Sequence, residues 1–345
     1  MQKVIAKINL KAIVANAKHY KAITGAKLCA VVKANAYGHG AVRVVNALSG
    51  IADFFAVCLI EEGIEISTAS CGKDVLVFTS PVTTEECEAI LQNDFVATVG
   101  DLRTAKLLFN TAKRLGKVAK VHLKVNTGMN RYGMNASMLG KVCKLFSKTE
   151  YVAVGGLYSH LYTTDEATSR AQRQLFLQMQ RIAKGYFEGI TCHLSASYGA
   201  GLGKEFVFDA VRIGLGLYGY SPLDDDDCLQ KAMTVYARCE LTRKYSFGGA
   251  GYGVSHDIKK GEKLSVYRFG YADGVLKKRK NGLQGFEDNV NDCCMDVSFR
   301  KGVKGRGKYE VILSDASKTA SELGTIPYEV LCAITKRAQF VYEWK

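Results

Sequence analysis

Basic and hydroxyl side chains stand at or near the ends of several apolar runs in this sequence. Lys33 follows the run Cys-Ala-Val-Val, Lys124 lies at the end of a second run, and His160 ends a third. Ser197 ends a fourth run and Arg212 lies in a fifth. The set is rich in positive charge and nearly free of carboxylates. A pocket built from these residues is suited to an anionic ligand.

Lys33 carries the sharpest chemical signal of the set. Its ammonium group lies at the edge of an apolar core, and a lysine amine in such a setting forms Schiff bases with carbonyl compounds. The structural alternative is a lysine whose stem packs on the strand while its charge reaches solvent. Lys33 stands within the sequence Ala-Val-Val-Lys-Ala-Asn-Ala-Tyr-Gly-His-Gly, and on residue type alone both interpretations remain open.

Eight short runs rich in β-branched and apolar residues recur through the first two-thirds of the chain, each followed by a helix-like segment. They are 28–33, 54–59, 75–79, 96–100, 118–125, 152–160, 190–197 and 211–218. This alternation predicts an α/β fold, a closed (β/α)8 TIM barrel over residues 1–225 with its active site at the carboxyl ends of the strands. A doubly wound open sheet is the alternative.

Two of the helix-like segments have recognisable ends. Asp101 is a candidate cap for a helix over 101–115, and Gly185 is a candidate terminator for a helix over 166–184. In the second helix, Leu175, Met179 and Ile182 are predicted to share the face that packs on the strands.

The pattern of apolar residues changes after Pro222 and an acidic turn at 224–227. Short apolar runs follow, separated by turns that contain glycine. They are 233–241, 263–269, 295–299, 309–313 and 340–344. This pattern predicts a C-terminal all-β domain over residues 226–345.

Composition restricts the remaining possibilities. The 345 residues include 48% hydrophobic residues and carry a formal net charge of +14. The sequence has neither a secretory signal nor an apolar stretch of about 18 residues, so we expect a soluble cytoplasmic protein that does not bind membranes. The eleven cysteines form no CxxC pair and are expected to be buried small hydrophobes. Charge is the only feature that suggests nucleic-acid binding, and we do not expect it.

The segment around Lys33 resembles the pyridoxal-phosphate attachment motif of the alanine racemase family. Further segments resemble the same family in the same order along the chain. They are KVNTGMNRYG at 124–133, GLYSHLYTTDE at 156–166, RIGLGLYGYSP at 212–222, AGYG at 250–253, GYADG at 270–274, CCMD at 293–296 and PYEV at 327–330.

The resemblance implies a head-to-tail homodimer that binds pyridoxal 5'-phosphate. We expect no metal site. It implies that Lys33 holds the cofactor and that Lys33 and Tyr252 of the partner subunit are the two catalytic bases. It places Arg212 against the pyridine nitrogen, with His160 supporting the ring, and it assigns the phosphate to Tyr37, Ser197, Gly214, Leu215 and Tyr328. Substrate-binding positions are Arg131 and the backbone at Met295, and Lys124 matches a lysine that is carbamylated in many members.

These residue types suit racemisation. One base removes the α-proton on one face of the substrate, and a second base returns a proton on the other. An arginine against the pyridine nitrogen only donates hydrogen bonds and opposes protonation of that nitrogen, which weakens the electron sink. Prompt reprotonation is then favoured over transamination.

Four residues depart from the family pattern. Asn126 replaces an aspartate, Ala196 an asparagine, Lys277 an arginine and Asp292 an arginine. The expected reaction is interconversion of L- and D-alanine, which would supply D-alanine for the cell wall. The alternatives are a racemase for serine or of broad amino-acid specificity, and a non-enzymatic pyridoxal-phosphate-binding protein. Tyr328 stands where a smaller residue is associated with serine-favouring relatives, so we expect alanine to be preferred.

Overall fold

The computed structural model describes residues 4–221, 228–246, 250–252, 259–274, 293–302 and 305–344. The chain forms two compact units. The barrel unit comprises Ile13–Ala36 and Ala41–Leu229, and the C-terminal unit comprises Met1–Ala12, Tyr37–Gly40 and Gln230–Lys345. The sequence-based boundary at residue 225 falls between residues 222 and 227, outside the described residues.

Eight parallel strands form the barrel unit and confirm the predicted (β/α)8 fold. They are β2 (Lys27–Val31), β3 (Phe54–Val57), β4 (Val75–Val77), β5 (Val96–Val99), β6 (Ala119–Lys124), β7 (Val152–Tyr158), β8 (Thr191–His193) and β9 (Ala210–Ile213). Neighbours in the sequence pair from β2 to β8, and β9 pairs with β2. A bridge between Ala196 and Arg212, with the Arg212 N–H donating to Ser195 O at 3.0 Å, links the segment after β8 to β9.

Helices separate these strands. They are α1 (Leu10–Thr24), which precedes β2, then α2 (Lys33–Gly38), α3 (Ala41–Leu48), α4 (Ile60–Ile66), α5 (Thr84–Gln92), α6 (Leu102–Leu115), α7 (Ala136–Phe146), α8 (Glu166–Lys184) and α9 (Ser197–Leu202). Asp101 caps α6 as predicted, because its carboxylate accepts the Thr104 N–H at 2.7 Å.

Only one of the three residues predicted for the apolar face of α8, Met179, is buried. Leu175 is 41% exposed, whereas Gln172, Phe176 and Met179 are buried. The buried set follows a spacing of three and four residues, so the helix is rotated relative to the face that Leu175 suggested. Gln172 was overlooked because it is polar. Its side chain is satisfied by hydrogen bonds to Thr127 Oγ1 and His160 O.

The C-terminal unit is built on a mostly antiparallel sheet. Its strands are β1 (Val4–Asn9), β10 (Met233–Lys244), β11 (Lys263–Tyr267), β12 (Ser298–Lys301), β13 (Tyr309–Leu313) and β14 (Gln339–Glu343). The first strand of the chain lies between β10 and β14, which the sequence analysis did not anticipate. The expectation that this domain is purely β also needs correction, because α10 (Ala316–Leu323) and α11 (Pro327–Ile334) belong to it.

The expectation about the cysteines was only partly right. Six are buried, whereas Cys71 and Cys228 are exposed. All eleven lie in the described part of the chain, and none of them forms a disulfide there. No helix among the described residues is long and apolar enough to cross a membrane.

Candidate active site

Lys33 lies just beyond the carboxyl end of β2, and the backbone adopts a left-handed conformation directly after it. Strand β2 ends at Val31, two residues before the end of the predicted run. In α2, residues Ala34 to Tyr37 have φ between 52° and 53°, so this turn is left-handed. Left-handed backbone costs roughly 1–2 kcal/mol per non-glycine residue. Neighbouring groups must therefore hold the segment that carries Lys33.

Arg212 is buried in β9 with neutral acceptors around it. Its Nη1 donates to His193 O at 2.8 Å and contacts His193 Nδ1 at 2.9 Å, while Nη2 donates to Ser159 O at 2.6 Å and Leu194 O at 2.9 Å. Burial lowers the pKa of Arg212 to about 10. Within the described part of the chain, these contacts use both terminal nitrogens and leave the Nε–H for a ligand.

Two buried histidines extend this network into the barrel. Arginine only donates, so His193 Nδ1 accepts from Arg212 and the proton of His193 lies on Nε2. That Nε2 lies 2.9 Å from His122 Nδ1, which accepts, so His122 carries its proton on its own Nε2. The ring of His193 stacks on Tyr158 with centroids 4.9 Å apart. The chain of contacts therefore fixes both tautomers as neutral rings.

This network makes a prediction for pH dependence. Burial lowers the pKa of His122 to about 4 from an ordinary value of 6.5, and burial also holds the pKa values of His160 and His193 well below that value. The unfolded chain then binds more protons than the folded protein below pH 6.5. The free energy of unfolding should fall as the pH drops from 6.5 toward 4, by up to about 1.4 kcal/mol per pH unit for each histidine.

Denaturant unfolding at a series of pH values checks this prediction. The variant His122→Gln should reduce the slope of unfolding free energy against pH by about one proton in this range. A slope that is unchanged in the variant would contradict the neutral buried histidine pair.

Lys124 and His160 lie beside this arginine. The Lys124 Nζ is 4.3 Å from the centroid of the Tyr158 ring, and Arg212 Cζ is 5.3 Å from the same centroid. Burial, together with the charges of Arg212 and Arg131, holds the pKa of Lys124 well below its ordinary value. Nη2 of Arg212 lies 3.3 Å from His160 Nδ1. The barrel unit thus brings these predicted residues into one electropositive cluster.

Arg131 is exposed on a loop that Asn126 organises. The side-chain oxygen of Asn126 accepts the N–H of Gly128 at 3.0 Å and of Asn130 at 3.1 Å, and its amide donates to Asn130 Oδ1 at 2.8 Å. A bridge between residues 125 and 134 closes the loop. The departure from the family aspartate therefore keeps two acceptor contacts and adds a donor that a carboxylate lacks.

Ser197, Gly214 and Leu215 come together at the carboxyl ends of the last two strands. The Ser197 hydroxyl accepts the N–H of Gly214 at 3.3 Å and of Gly216 at 3.2 Å. Leu215 is buried and begins a 3-10 helix. Ala196 provides no side-chain cap for α9, so its departure from asparagine removes one capping group from this region.

The C-terminal unit brings Tyr37 and Tyr328 together. Their ring centroids are 5.8 Å apart, and burial raises the pKa of Tyr328. Gly38 follows with φ of 78°, and a Cβ there would lie 2.5 Å from Leu331 O. Glycine is required at this position both by its left-handed backbone and by the close approach of α11.

Two motifs that are separate in the sequence lie side by side in this unit. Tyr271 N–H donates to Cys294 O at 3.1 Å, and Ala272 N–H donates to Met295 O at 3.0 Å. Met295 is 54% exposed and Tyr252 is 79% exposed. The other two departures, Lys277 and Asp292, lie outside the described residues.

Arg337 links the same two motifs. Its Nε donates to Asp273 at 2.8 Å and its Nη1 donates to Asp296 at 2.9 Å. The Asp273 carboxylate also accepts the Gly270 N–H at 2.8 Å. Arg337 and these aspartates line a cavity of about 540 Å³ within the C-terminal unit.

His122, His193 and Tyr158 were not predicted as site residues from the sequence. His122 precedes Lys124 by two residues, and Tyr158 precedes His160 by two residues. His193 is the last residue of β8. Side chains two apart on a strand share a face. Reading backwards in steps of two from the predicted site would have found them.

A barrel with a lysine, a buried arginine and a histidine at its strand ends, followed by a strand-based unit, defines a barrel-type enzyme. The described residues contain no group of histidine, cysteine or acidic side chains that could hold a metal ion. Comparison with known proteins gives the family.

The family described as alanine racemase, N-terminal domain, matches residues 8–222, and alanine racemase, C-terminal domain, matches residues 232–342. An alanine racemase from Synechocystis sp. is 32% identical over 366 residues, covering 97% of this chain and 98% of that protein. The structure of the Clostridium difficile 630 alanine racemase has a TM-score of 0.91 at 30% identity, covering 99% of this chain and 96% of that one. The chain belongs to the alanine racemase family, a family of isomerases.

A more distant structure shares the fold. The alanine racemase from Bartonella henselae, with covalently bound pyridoxal phosphate, has a TM-score of 0.85 at 24% identity. It covers 99% of this chain and 100% of its own.

Proposed function

We propose that this protein interconverts L- and D-alanine with pyridoxal 5'-phosphate, by a two-base mechanism. The observation that carries the proposal is the setting of Arg212, a buried guanidinium whose terminal nitrogens contact neutral acceptors. A group that only donates, placed against a pyridine nitrogen, keeps that nitrogen unprotonated. An unprotonated pyridine nitrogen favours return of the proton to the α-carbon over transamination.

The residues present fit this cofactor. Lys33 supplies the amine for covalent attachment, and the Arg212 Nε–H supplies a donor for the ring nitrogen. For the phosphate we propose Ser197, Gly214, Leu215, Tyr37 and Tyr328, and for support of the ring we propose His160. Hydroxyl and backbone N–H donors suit the oxygens of a phosphate. When bound, the cofactor delocalises the negative charge that forms as the α-proton leaves.

The protein's own residues then move the proton. Lys33 accepts or returns it on one face of the α-carbon, and Tyr252 of the partner subunit does so on the other. Arg131 and the Met295 backbone would bind the substrate carboxylate. The depressed pKa of Lys124 makes its amine available for carbamylation, and the added carboxylate would orient Arg131.

The proposal includes a homodimer with shared active sites, since Tyr252 acts in trans. It also includes a cytoplasmic location and a biosynthetic role, the supply of D-alanine for peptidoglycan. Sedimentation of the purified protein tests the first of these statements. A stable monomer with full activity would contradict it.

Chiral chromatography of amino acids incubated with the protein tests the proposed function. L-alanine should be converted to an equal mixture of enantiomers when pyridoxal phosphate is present, and prior reduction with borohydride should abolish the conversion. A protein that binds the cofactor and leaves every amino acid of the panel unchanged would be a non-enzymatic carrier and would refute the proposal.

Alanine is expected to be preferred over serine. Tyr328 adds bulk where serine-favouring relatives have a smaller residue, and an extra or missing small group in a pocket changes selectivity by about 10-fold or more. Measurement of kcat/KM for both L-amino acids should therefore favour alanine by about that factor. A serine advantage would indicate the alternative specificity.

A further inference from the structure

The peptide that follows Lys33 is held by a carboxylate that the sequence analysis did not single out. The Ala34 N–H donates to Glu62 Oε1 at 2.7 Å. On the other side of Lys33, the Val32 N–H donates to Ala56 O of β3 at 2.9 Å. The residues on either side of Lys33 therefore each donate a backbone N–H, one to the next strand of the barrel and the other to a side chain of the helix after it.

The second oxygen of Glu62 is also used. Glu62 Oε2 accepts the N–H of Cys58 at 2.7 Å and of Leu59 at 3.0 Å, the residues that connect β3 to α4. The Leu59 contact is the ordinary backbone cap of a helix by a glutamate in its first turn. The contact to Ala34 does nothing for α4. It joins the lysine segment to the carboxyl end of β3.

The peptide of Cys58 is in turn held by the segment that follows β4. Its carbonyl accepts the N–H of Thr79 at 3.2 Å and also the Thr79 hydroxyl. Glu62 therefore links the segment that carries Lys33 to the segments that follow β3 and β4.

This tie matters because the turn after Lys33 is left-handed. Four consecutive non-glycine residues, 34–37, have φ near +52°, a conformation that persists only when surrounding contacts impose it. The Ala34 N–H is the first donor of that turn, and Asn35 Oδ1 accepts the Ala41 N–H at 2.7 Å at its other end. Releasing the first contact frees the backbone at the lysine itself.

We propose that Glu62 is a positioning residue for Lys33. By anchoring the Ala34 N–H it sets the backbone of Lys33 and the direction in which the lysine amine projects. The inference rests on the proposed attachment of pyridoxal phosphate to Lys33.

The test is Glu62→Gln, with Glu61→Gln as the matched control. A glutamine has one acceptor oxygen, so it cannot serve Ala34 and the Cys58–Leu59 pair together. Glu61 is the adjacent exposed residue of the same helix, and its substitution makes the same charge change. We expect Glu62→Gln to lower kcat for alanine about 10–100-fold with little change in KM, and to weaken pyridoxal phosphate binding, because misplacement by an ångström has effects of this size.

Hydrogen exchange of the amides in segment 33–36 gives a readout that does not depend on activity. The Ala34 amide should exchange slowly in the wild type although its residue is exposed, and quickly in Glu62→Gln. Rapid exchange in the wild type would overturn the inference even if the variant failed to fold. Equal kcat and cofactor affinity in the two variants would also overturn it.

The two proposals fail separately. If borohydride reduction of the wild type gives no cofactor adduct at Lys33, the proposed function fails and this inference fails with it. If the wild type carries the adduct and Glu62→Gln behaves like Glu61→Gln, only the role of Glu62 is refuted.

Discussion

Replacing Lys33 by alanine is expected to abolish attachment of pyridoxal phosphate and to reduce alanine racemisation by at least about 10²–10⁴-fold, the contribution of one positioned acid or base. The loss should be larger than this range, because the same amine also provides the covalent link to the cofactor. Chiral chromatography measures the rate, and absorbance after removal of free cofactor measures attachment.

The matched control is Lys27→Ala. Lys27 is exposed at the opposite end of the same strand, so its loss removes the same charge and leaves the carboxyl end of β2 unchanged. We expect nearly full activity in this variant. Retained cofactor attachment and turnover in Lys33→Ala would remove the basis of the proposed mechanism.

Replacing Tyr252 by phenylalanine should have the second largest effect. The substitution removes one hydroxyl from a residue that is 79% exposed, so the free energy of unfolding should change by less than about 0.5 kcal/mol. Turnover should fall by about 10²–10⁴-fold, since one of two bases is lost. Cofactor attachment through Lys33 should remain.

Isotope exchange separates this role from a general loss of activity. In D2O, exchange of the α-hydrogen should persist from one enantiomer of alanine, because Lys33 still serves its own face. Tyr186→Phe, a change at another exposed tyrosine, should leave both exchange and turnover intact. Full racemisation by Tyr252→Phe would refute its assignment as a base.

The sequence predicted the barrel well because several of its strands, among them β3, β4 and β5, are fully buried and read as short runs of apolar and β-branched residues. Each of the eight predicted runs contains or overlaps an observed strand, and the predicted helix over 166–184 has the observed ends. Buried parallel strands carry this signal whatever they pack against.

What the sequence could not predict depends on contacts between distant segments. Strand β1 pairs with β10 and β14, more than 200 residues away, and nothing local marks that pairing. The left-handed turn after Lys33 contains Ala34, Ala36 and Tyr37, residue types that carry no preference for positive φ. Helix α11, in contrast, could have been predicted, because Pro327 at its first position is a local signal for the start of a helix.

The candidate site likewise contains residues that local motifs predict and contacts that form only when distant segments come together. Lys33, Lys124, His160 and Arg212 were predicted from their types and motif settings, and in the barrel unit they lie in or next to the carboxyl-terminal halves of strands. The neutral tautomers of His122 and His193 follow only from the contact with Arg212. The dual use of the Glu62 carboxylate likewise requires three backbone donors from two segments.

The central claim is that Lys33, among the lysines of this chain, carries the cofactor. Lys124 is a genuine competitor, because burial and neighbouring cations hold its pKa well below the ordinary value. Mass mapping of peptides after borohydride reduction of the cofactor-loaded protein distinguishes the two. We predict a single phosphopyridoxyl label on Lys33, absent when excess alanine is present during reduction. A label on Lys124 or elsewhere, with Lys33 unmodified, would contradict the account.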